Sequence, residues 1–265
     1  MLFQKLMGKG PASMISPSAP IYLWGWGSNN VGQLGLGDVV ERSSPVQVEG
    51  SILWASVTVG GASALATRTD GTLWGWGFNT SGALGLGDIV QRSSPVQVGA
   101  LSTWSKIDGS SQTFGIKTDG TLWAWGSNSK GYLGVGDIVS RSSPVQVGTL
   151  ATWASAAAST AIKTDGTLWS WGRNTAGLLG LGDTTHRSSP VQVGTLATWT
   201  RVSAGNNRSH ALKTDGTLWA WGYNDTGRLG LGNVTACSSP VQLGTLTRWT
   251  VIAYGNDAPM FALTQ

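Results

Sequence analysis

Leu73-Trp74-Gly75-Trp76-Gly77-Phe78-Asn79, followed by Gly82-Ala83-Leu84-Gly85-Leu86-Gly87-Asp88, then Ser93-Ser94-Pro95-Val96-Gln97 and finally Trp104, is one copy of a unit that the chain contains five times. The interval of 28 residues from Trp76 to Trp104 returns unchanged as Trp26 to Trp54, Trp125 to Trp153, Trp171 to Trp199 and Trp221 to Trp249. Successive units start 46 to 50 residues apart, a period that belongs to repeat architectures. The fifteen tryptophans fall three to a unit. A large ring at the same place in every copy suits packing between copies better than a stacking platform for a ligand.

Each unit reads as short strands separated by turns. Residues 211–214 and 217–221 flank Asp215-Gly216, and Asp70-Gly71, Asp119-Gly120 and Asp165-Gly166 repeat the arrangement; an Asp-Gly pair between two strand-like runs signals a hairpin. Pro240 opens a further strand where no N–H is needed, and a fourth strand follows Trp199 through Val202. No unit shows the apolar period of a helix. Four short strands per unit of about 50 residues indicate a propeller blade. The expected fold is therefore all-β, a β-propeller of five four-stranded blades over residues 21 to 265. The chain ends on Phe261-Ala262-Leu263-Thr264-Gln265, the hairpin strand that Ile21-Tyr22-Leu23-Trp24 lacks, so pairing of these segments is expected to close the ring.

These residues resemble the regulator of chromosome condensation repeat family. Its signature, Trp-Gly-x-Asn-x-x-Gly-x-Leu-Gly-x-Gly-Asp, stands here as Trp76-Gly77-Phe78-Asn79 through Gly82, Leu84, Gly85, Gly87 and Asp88, and recurs with small changes from Trp26, Trp125, Trp171 and Trp221. The resemblance covers residues 21 to 265 and implies a β-propeller; the best-known member has seven blades, against five units counted here. Members include a nucleotide-exchange factor that binds chromatin, a β-lactamase inhibitor and many bacterial and phage proteins. The nearly identical, Gly/Ser/Thr-rich copies in this chain are most similar to the last group. No long insertion is present to serve as a wedge into a GTPase.

Four units place an Asp four residues before an Arg: Asp38 and Arg42, Asp88 and Arg92, Asp137 and Arg141, Asp183 and Arg187. In the fifth unit Asn233 and Cys237 replace both together. Joint loss implies that the two side chains meet, since removing one partner strands the other charge. These are structural pairs. Cys237 is the only cysteine, so no internal disulfide supports the fold.

The formal net charge is +4, and without Lys5 and Lys9 the propeller carries +2, with 11% charged residues overall. No Lys/Arg run exists, which argues against nucleic acid, where affinity scales with cationic contacts. Two histidines, His186 and His210, and two glutamates, Glu41 and Glu49, frame no catalytic or metal-binding pattern. The expectation is a non-enzymatic chain with no catalytic residues, no metal and no cofactor.

All variation in unit length falls between the third Trp and the next hairpin. The distinctive residues of this link are Asn206, Asn207, Arg208 and His210 in one copy and Asn256, Asp257 and Met260 in another. A second unit-specific position, after Trp-Gly-x-Asn, holds Gln33, Ala83, Tyr132, Leu178 and Arg228. Differences gathered on one face mark a binding face, so these links are expected to share one rim and to contact a partner. Residues 1–20 belong to no unit. Leu2, Phe3, Leu6 and Met7 form an apolar run too short for a signal-peptide core or a membrane span, followed by a Gly/Pro/Ser-rich stretch; the segment reads as an anchoring arm onto other virion or assembly proteins. Low charge, copied units and this arm lead to a structural or adhesive propeller of a virus (phage) particle, made in the host cytoplasm and contacting a host-surface protein or glycan. The alternative is a cytoplasmic protein-interaction propeller of the exchange-factor or inhibitor type.

Overall fold

The computed structural model describes residues 21–109, 111–205, 207–253 and 261–264. The arm with Leu2, Phe3, Leu6 and Met7, and the link residues Asn206, Asn256, Asp257 and Met260, lie outside them. Among the described residues the structure is all-β apart from one turn of 3-10 helix, Thr175–Gly177. Strands β1 (Trp24–Gly27) and β2 (Arg42–Gln47) form a two-stranded antiparallel sheet. Four four-stranded antiparallel sheets follow. The first holds β3 (Trp54–Gly60), β4 (Ser63–Arg68), β5 (Leu73–Gly77) and β6 (Arg92–Gln97); the second holds β7 (Trp104–Gly109), β8 (Gln112–Lys117), β9 (Leu122–Gly126) and β10 (Arg141–Gln146). The third holds β11 (Trp153–Ala157), β12 (Thr160–Lys163), β13 (Leu168–Gly172) and β14 (Arg187–Gln192); the fourth holds β15 (Trp199–Gly205), β16 (Arg208–Lys213), β17 (Leu218–Gly222) and β18 (Cys237–Gln242). A last pair, β19 (Trp249–Ala253) and β20 (Phe261–Thr264), completes the strand count of a fifth blade, divided between the two ends. Among the described residues no ladder joins β1 to β20. Blade and sequence unit are offset by one strand: the strand begun by the third Trp pairs with the next unit's hairpin, which locks each copy to its neighbour.

The hairpins differ in detail from a two-residue turn. Gly216 N donates to the Lys213 carbonyl at 3.0 Å and Lys213 N to the Thr217 carbonyl at 3.1 Å, with only Gly216 at positive φ, +76°. Thr214 and Asp215 thus form an ordinary turn, and Gly216 supplies the left-handed residue that restores strand twist. A Cβ at Gly216 would collide with the Thr247 carbonyl. The aspartate braces the turn by accepting from Thr217 N at 2.9 Å and Thr217 Oγ1 at 2.6 Å. Pro240 lies inside β18, where the ladder skips from Gly222↔Cys237 to Ala220↔Val241, so its missing N–H costs no ladder bond.

Blade is held to blade by the second Trp of each unit. Trp76 Nε1 donates to the Gln33 carbonyl of the preceding blade at 3.0 Å, Trp125 to Ala83 at 2.9 Å, Trp171 to Tyr132 at 2.8 Å and Trp221 to Leu178 at 2.8 Å. All four indoles are at most 2% exposed. A Cβ on Gly35 or Gly85, both at positive φ, would stand 2.8 Å from the arriving indole nitrogen, which explains the second glycine of Gly-x-Leu-Gly. The third Trp packs edge-on against the second, Trp104 against Trp125 at 5.6 Å for example. The first Trp lies under a cation: Lys117 over Trp123 at 3.6 Å, Lys163 over Trp169 at 3.6 Å, Lys213 over Trp219 at 3.5 Å and Arg68 over Trp74 at 3.3 Å. Burial lowers the pKa of these lysines, and the ring faces offset that cost electrostatically. Trp26, in contrast, is 52% exposed.

The buried Asn of Trp-Gly-x-Asn organises the Gly-rich loop. Asn79 donates to the carbonyls of Asp88 and Val90 at 3.1 Å each and accepts from Leu84 N at 3.0 Å. Asp88 Oδ1 takes Val90 N at 2.9 Å, while Oδ2 takes Arg92 Nη2 at 2.6 Å. The other three Asp/Arg pairs meet at 2.5 to 2.6 Å. In the fifth unit Asn233 Oδ1 still accepts from Thr235 N, at 2.9 Å, and no second carboxylate oxygen remains to need an arginine. The joint change to Asn233 and Cys237 is thereby explained.

Two outcomes follow for stability. Trp76→Phe strands the Gln33 carbonyl and is expected to cost about 1–3 kcal/mol in urea unfolding, whereas Trp26→Phe costs under about 1 kcal/mol; an equal loss at Trp26 would show that a strand covers β1 in solution. Asp38, Asp88, Asp137 and Asp183 titrate below the ordinary carboxylate value, owing first to the backbone N–H two residues on and also to their arginines. Their contribution is complete above the unfolded pKa of about 3.9 and is lost as pH falls through the depressed folded values. The urea midpoint should therefore drop at pH 3 to 4, on account of these groups, and an unchanged midpoint there would contradict this account.

Candidate functional site

The ends of β3, β7 and β15, with the residue after β11, surround one cavity of about 670 Å³. Asp108, Gln112 and Tyr132 line it from the second blade, Tyr132 from the loop between β9 and β10; Arg173 and Leu178 line it from the third blade, and Asn207 from the fourth. Asn207 of one link meets Tyr132 and Leu178 of the second unit-specific position at this cavity, and a half-buried side chain stands at each of the three.

Why the second unit-specific position varies is a matter of backbone use. The fold needs the carbonyls of Gln33, Ala83, Tyr132 and Leu178 for the indole bonds and accommodates four different side chains at this position, so Tyr132 and Leu178 can shape the cavity. Two rim residues other than glycine have positive φ, Ala158 at 48° and Asn207 at 65°, where the first blade uses Gly61 at 61°. Such backbone costs of the order of 1 kcal/mol for a non-glycine residue, most easily met by the asparagine.

Asp108 gives the cavity its chemical character, and no sequence motif signals it. Its Oδ2 accepts from Ala158 N of the neighbouring blade at 3.3 Å. Burial raises its pKa, against the effect of hydrogen bonds from the Ala158 and Gly109 backbone. Arg173 donates from Nε to Thr175 Oγ1 at 2.8 Å. A second cavity, of about 420 Å³, is walled by Trp199, Lys213, Trp219 and Pro240. These are residues of the repeated motif, so that space belongs to the fold.

Two expected contact residues are placed differently. Arg208 and His210 are not on a surface link: β16 begins at Arg208, and they are 1% and 0% exposed. His210 pairs with Ala220 as Leu65 pairs with Gly75 and Phe114 with Ala124, which makes it a core position occupied by an imidazole. Neither residue is available to a partner. Burial first, and the neighbouring Arg208 charge after it, lower the His210 pKa to about 4, with a hydrogen bond to the Leu229 backbone opposing both.

The fold and site define a β-propeller with a central, unit-specific cavity. The family model described as regulator of chromosome condensation (RCC1) repeat matches residues 22–66, 70–113, 119–161, 165–212 and 215–261, and a second RCC1 repeat model matches 199–228. The chain belongs to the RCC1 repeat family. Among solved structures it is similar to human WBSCR16, with 21% identity over 91% of this chain and 67% of that one and a TM-score of 0.78. It is also similar to yeast RCC1 (Prp20) bound to Kap60, with 20% identity over 84% of this chain and 57% of that one and a TM-score of 0.74. A further structure of Prp20p from Saccharomyces cerevisiae gives 22% identity, coverage of 84% and 59%, and a TM-score of 0.72. The chain thus spans about two thirds or less of the length of these proteins. No curated protein sequence matches it. No helix among the described residues is long and apolar enough to cross a membrane.

His210 supplies a test of this assignment of core and rim. A histidine held neutral in the fold binds its proton more readily when unfolded, so stability falls as pH drops below about 6.5 and continues to fall towards about 4. His210→Phe, copying Phe114, should remove that part of the pH dependence in urea titrations; the same slope in the variant would place the titrating group elsewhere.

Proposed function

We propose that this chain is a non-enzymatic propeller that binds a protein partner through its central cavity. The observation that carries the reading is convergence: positions that are copies elsewhere become individual where Asp108, Tyr132, Leu178 and Asn207 line one space. The size suits a protruding loop of a few residues. Prp20 is described bound to Kap60 and in terms of binding to Gsp1p and histones, which supports a protein as the kind of partner. A photo-crosslinking amino acid at position 132 is expected to give covalent adducts with partner protein. The same group at Ser44, on exposed outer strand β2, should give none; adducts from Ser44 alone would move the interface to the blade edges.

Within that class we place the chain as a structural or adhesive component of a virus particle, rather than as a cytoplasmic binder. Support comes from the 11% charged composition and the apolar Leu2, Phe3, Leu6 and Met7 ahead of the first unit. Particle proteins would be the partners of residues 1–20, and a host-surface protein or glycan the contact of the propeller. Enrichment in sedimented particles that is lost on removing residues 1–20 is the expected result; recovery only in the soluble fraction would favour the cytoplasmic binder.

A further inference from the structure

The fold does not require a carboxylate at position 108. Asp108 pairs with Phe114 in its sheet, and the same register position is Thr58 opposite Leu65, Ala157 opposite Thr160 and Ser203 opposite His210. Three neutral residues build the same strand, so the charge answers to something other than folding. Its surroundings leave it without a counter-ion: among the described residues no Lys, Arg or His stands within ion-pair distance of Asp108. Each of the two basic side chains on the adjoining walls makes a bond of its own. Lys106, two residues earlier in β7, donates to the Ala154 carbonyl at 2.6 Å, and Arg173 to Thr175 Oγ1. What meets the carboxylate is backbone: Ala158 N, at 3.3 Å, and the Gly109 backbone, neither of which carries a charge.

A half-buried carboxylate with no cation holds an electrostatic cost that an arriving positive group removes. Burial already raises the Asp108 pKa, and a bound cation would reverse that shift. Tyr132 and Leu178 border the same space, and their apolar surface suits the methylene stem of a long basic side chain, which buries its stem while its head finds an acceptor.

We propose that the central cavity is a receptor for a cationic side chain, an arginine or lysine presented on a loop of a protein partner, with Asp108 as its counter-ion. This rests on the reading of the cavity as the partner site and specifies the partner's chemistry. An arginine would use its fork of donors on the carboxylate. The cavity is large enough to seat residues on either side of it.

The test uses the full chain labelled with nitrogen-15 and three probes: the blocked peptide acetyl-Gly-Ser-Arg-Ser-Gly-amide, the same peptide with neutral citrulline for arginine, and agmatine as a free small cation. The arginine peptide is expected to shift the Ala158 and Gly109 amide resonances saturably, the citrulline peptide to leave them in place, and agmatine to bind more weakly. Asp108→Asn should weaken peptide binding about tenfold or more. Asp108→Thr, which copies Thr58, should do the same with the fold intact. No saturable shift, or equal binding by wild type and both variants, would overturn the proposal. Agmatine binding as tightly as the peptide would overturn the protein origin of the cation. If position 132 still crosslinks a partner while the arginine peptide fails to bind, the partner site stands and only the cation assignment falls.

Discussion

The bond from a buried indole N–H to the carbonyl of the blade before it is the constraint on which the rest of this propeller depends. Four such bonds, 2.8 to 3.0 Å long, repeat one geometry at four seams. An indole N–H taken out of water must find an acceptor, and the acceptor lies in a loop that only glycine lets approach so closely. The Gly-rich loop must in turn keep its shape, which is the work of the buried Asn and the Asp/Arg pair beneath it. The motif's apparently separate parts are thus one chain of dependence, from Arg92 through Asp88 and Asn79 to the loop that receives the next indole.

That arrangement also sets where the molecule can vary. A position that serves through its carbonyl can change its side chain and keep the seam bond, so Tyr132 and Leu178 stand where other units have Gln33 and Ala83. The link ends behave alike: Phe78 N, Ser127 N and Tyr223 N bond to the carbonyls of Ala62, Ser111 and Asn207, again leaving side chains free. Both kinds of freedom open towards the central cavity, which is how a chain of near-copies obtains one individual surface.

The seam at Trp26 shows the same logic from its other side. β1 carries the indoles that elsewhere are covered by a hairpin partner, and with β1–β2 and β19–β20 as separate sheets Trp24 and Trp26 are 50% and 52% exposed, against at most 2% for the four equivalents of Trp26. Packing of these indoles is therefore a property of the complete blade, since strand propensity alone leaves the rings in water.

Much was legible in the sequence by itself because the information is periodic and local. The 28-residue Trp interval gave the unit, Asp-Gly the hairpin, Ser-Ser-Pro-Val-Gln the outer strand, and the paired loss at Asn233 and Cys237 the contact between Asp and Arg. What the sequence could not show depends on which backbone atoms meet across blades. Arg208 and His210 look like link residues in one dimension, but the ladder of β16 begins at Arg208 and draws both into the core. Asp108 looks like one more polar strand residue. Only the closing of four inner strands around a shared space makes it a half-buried carboxylate without a cation, because desolvation and the position of neighbouring charges are properties of three-dimensional surroundings.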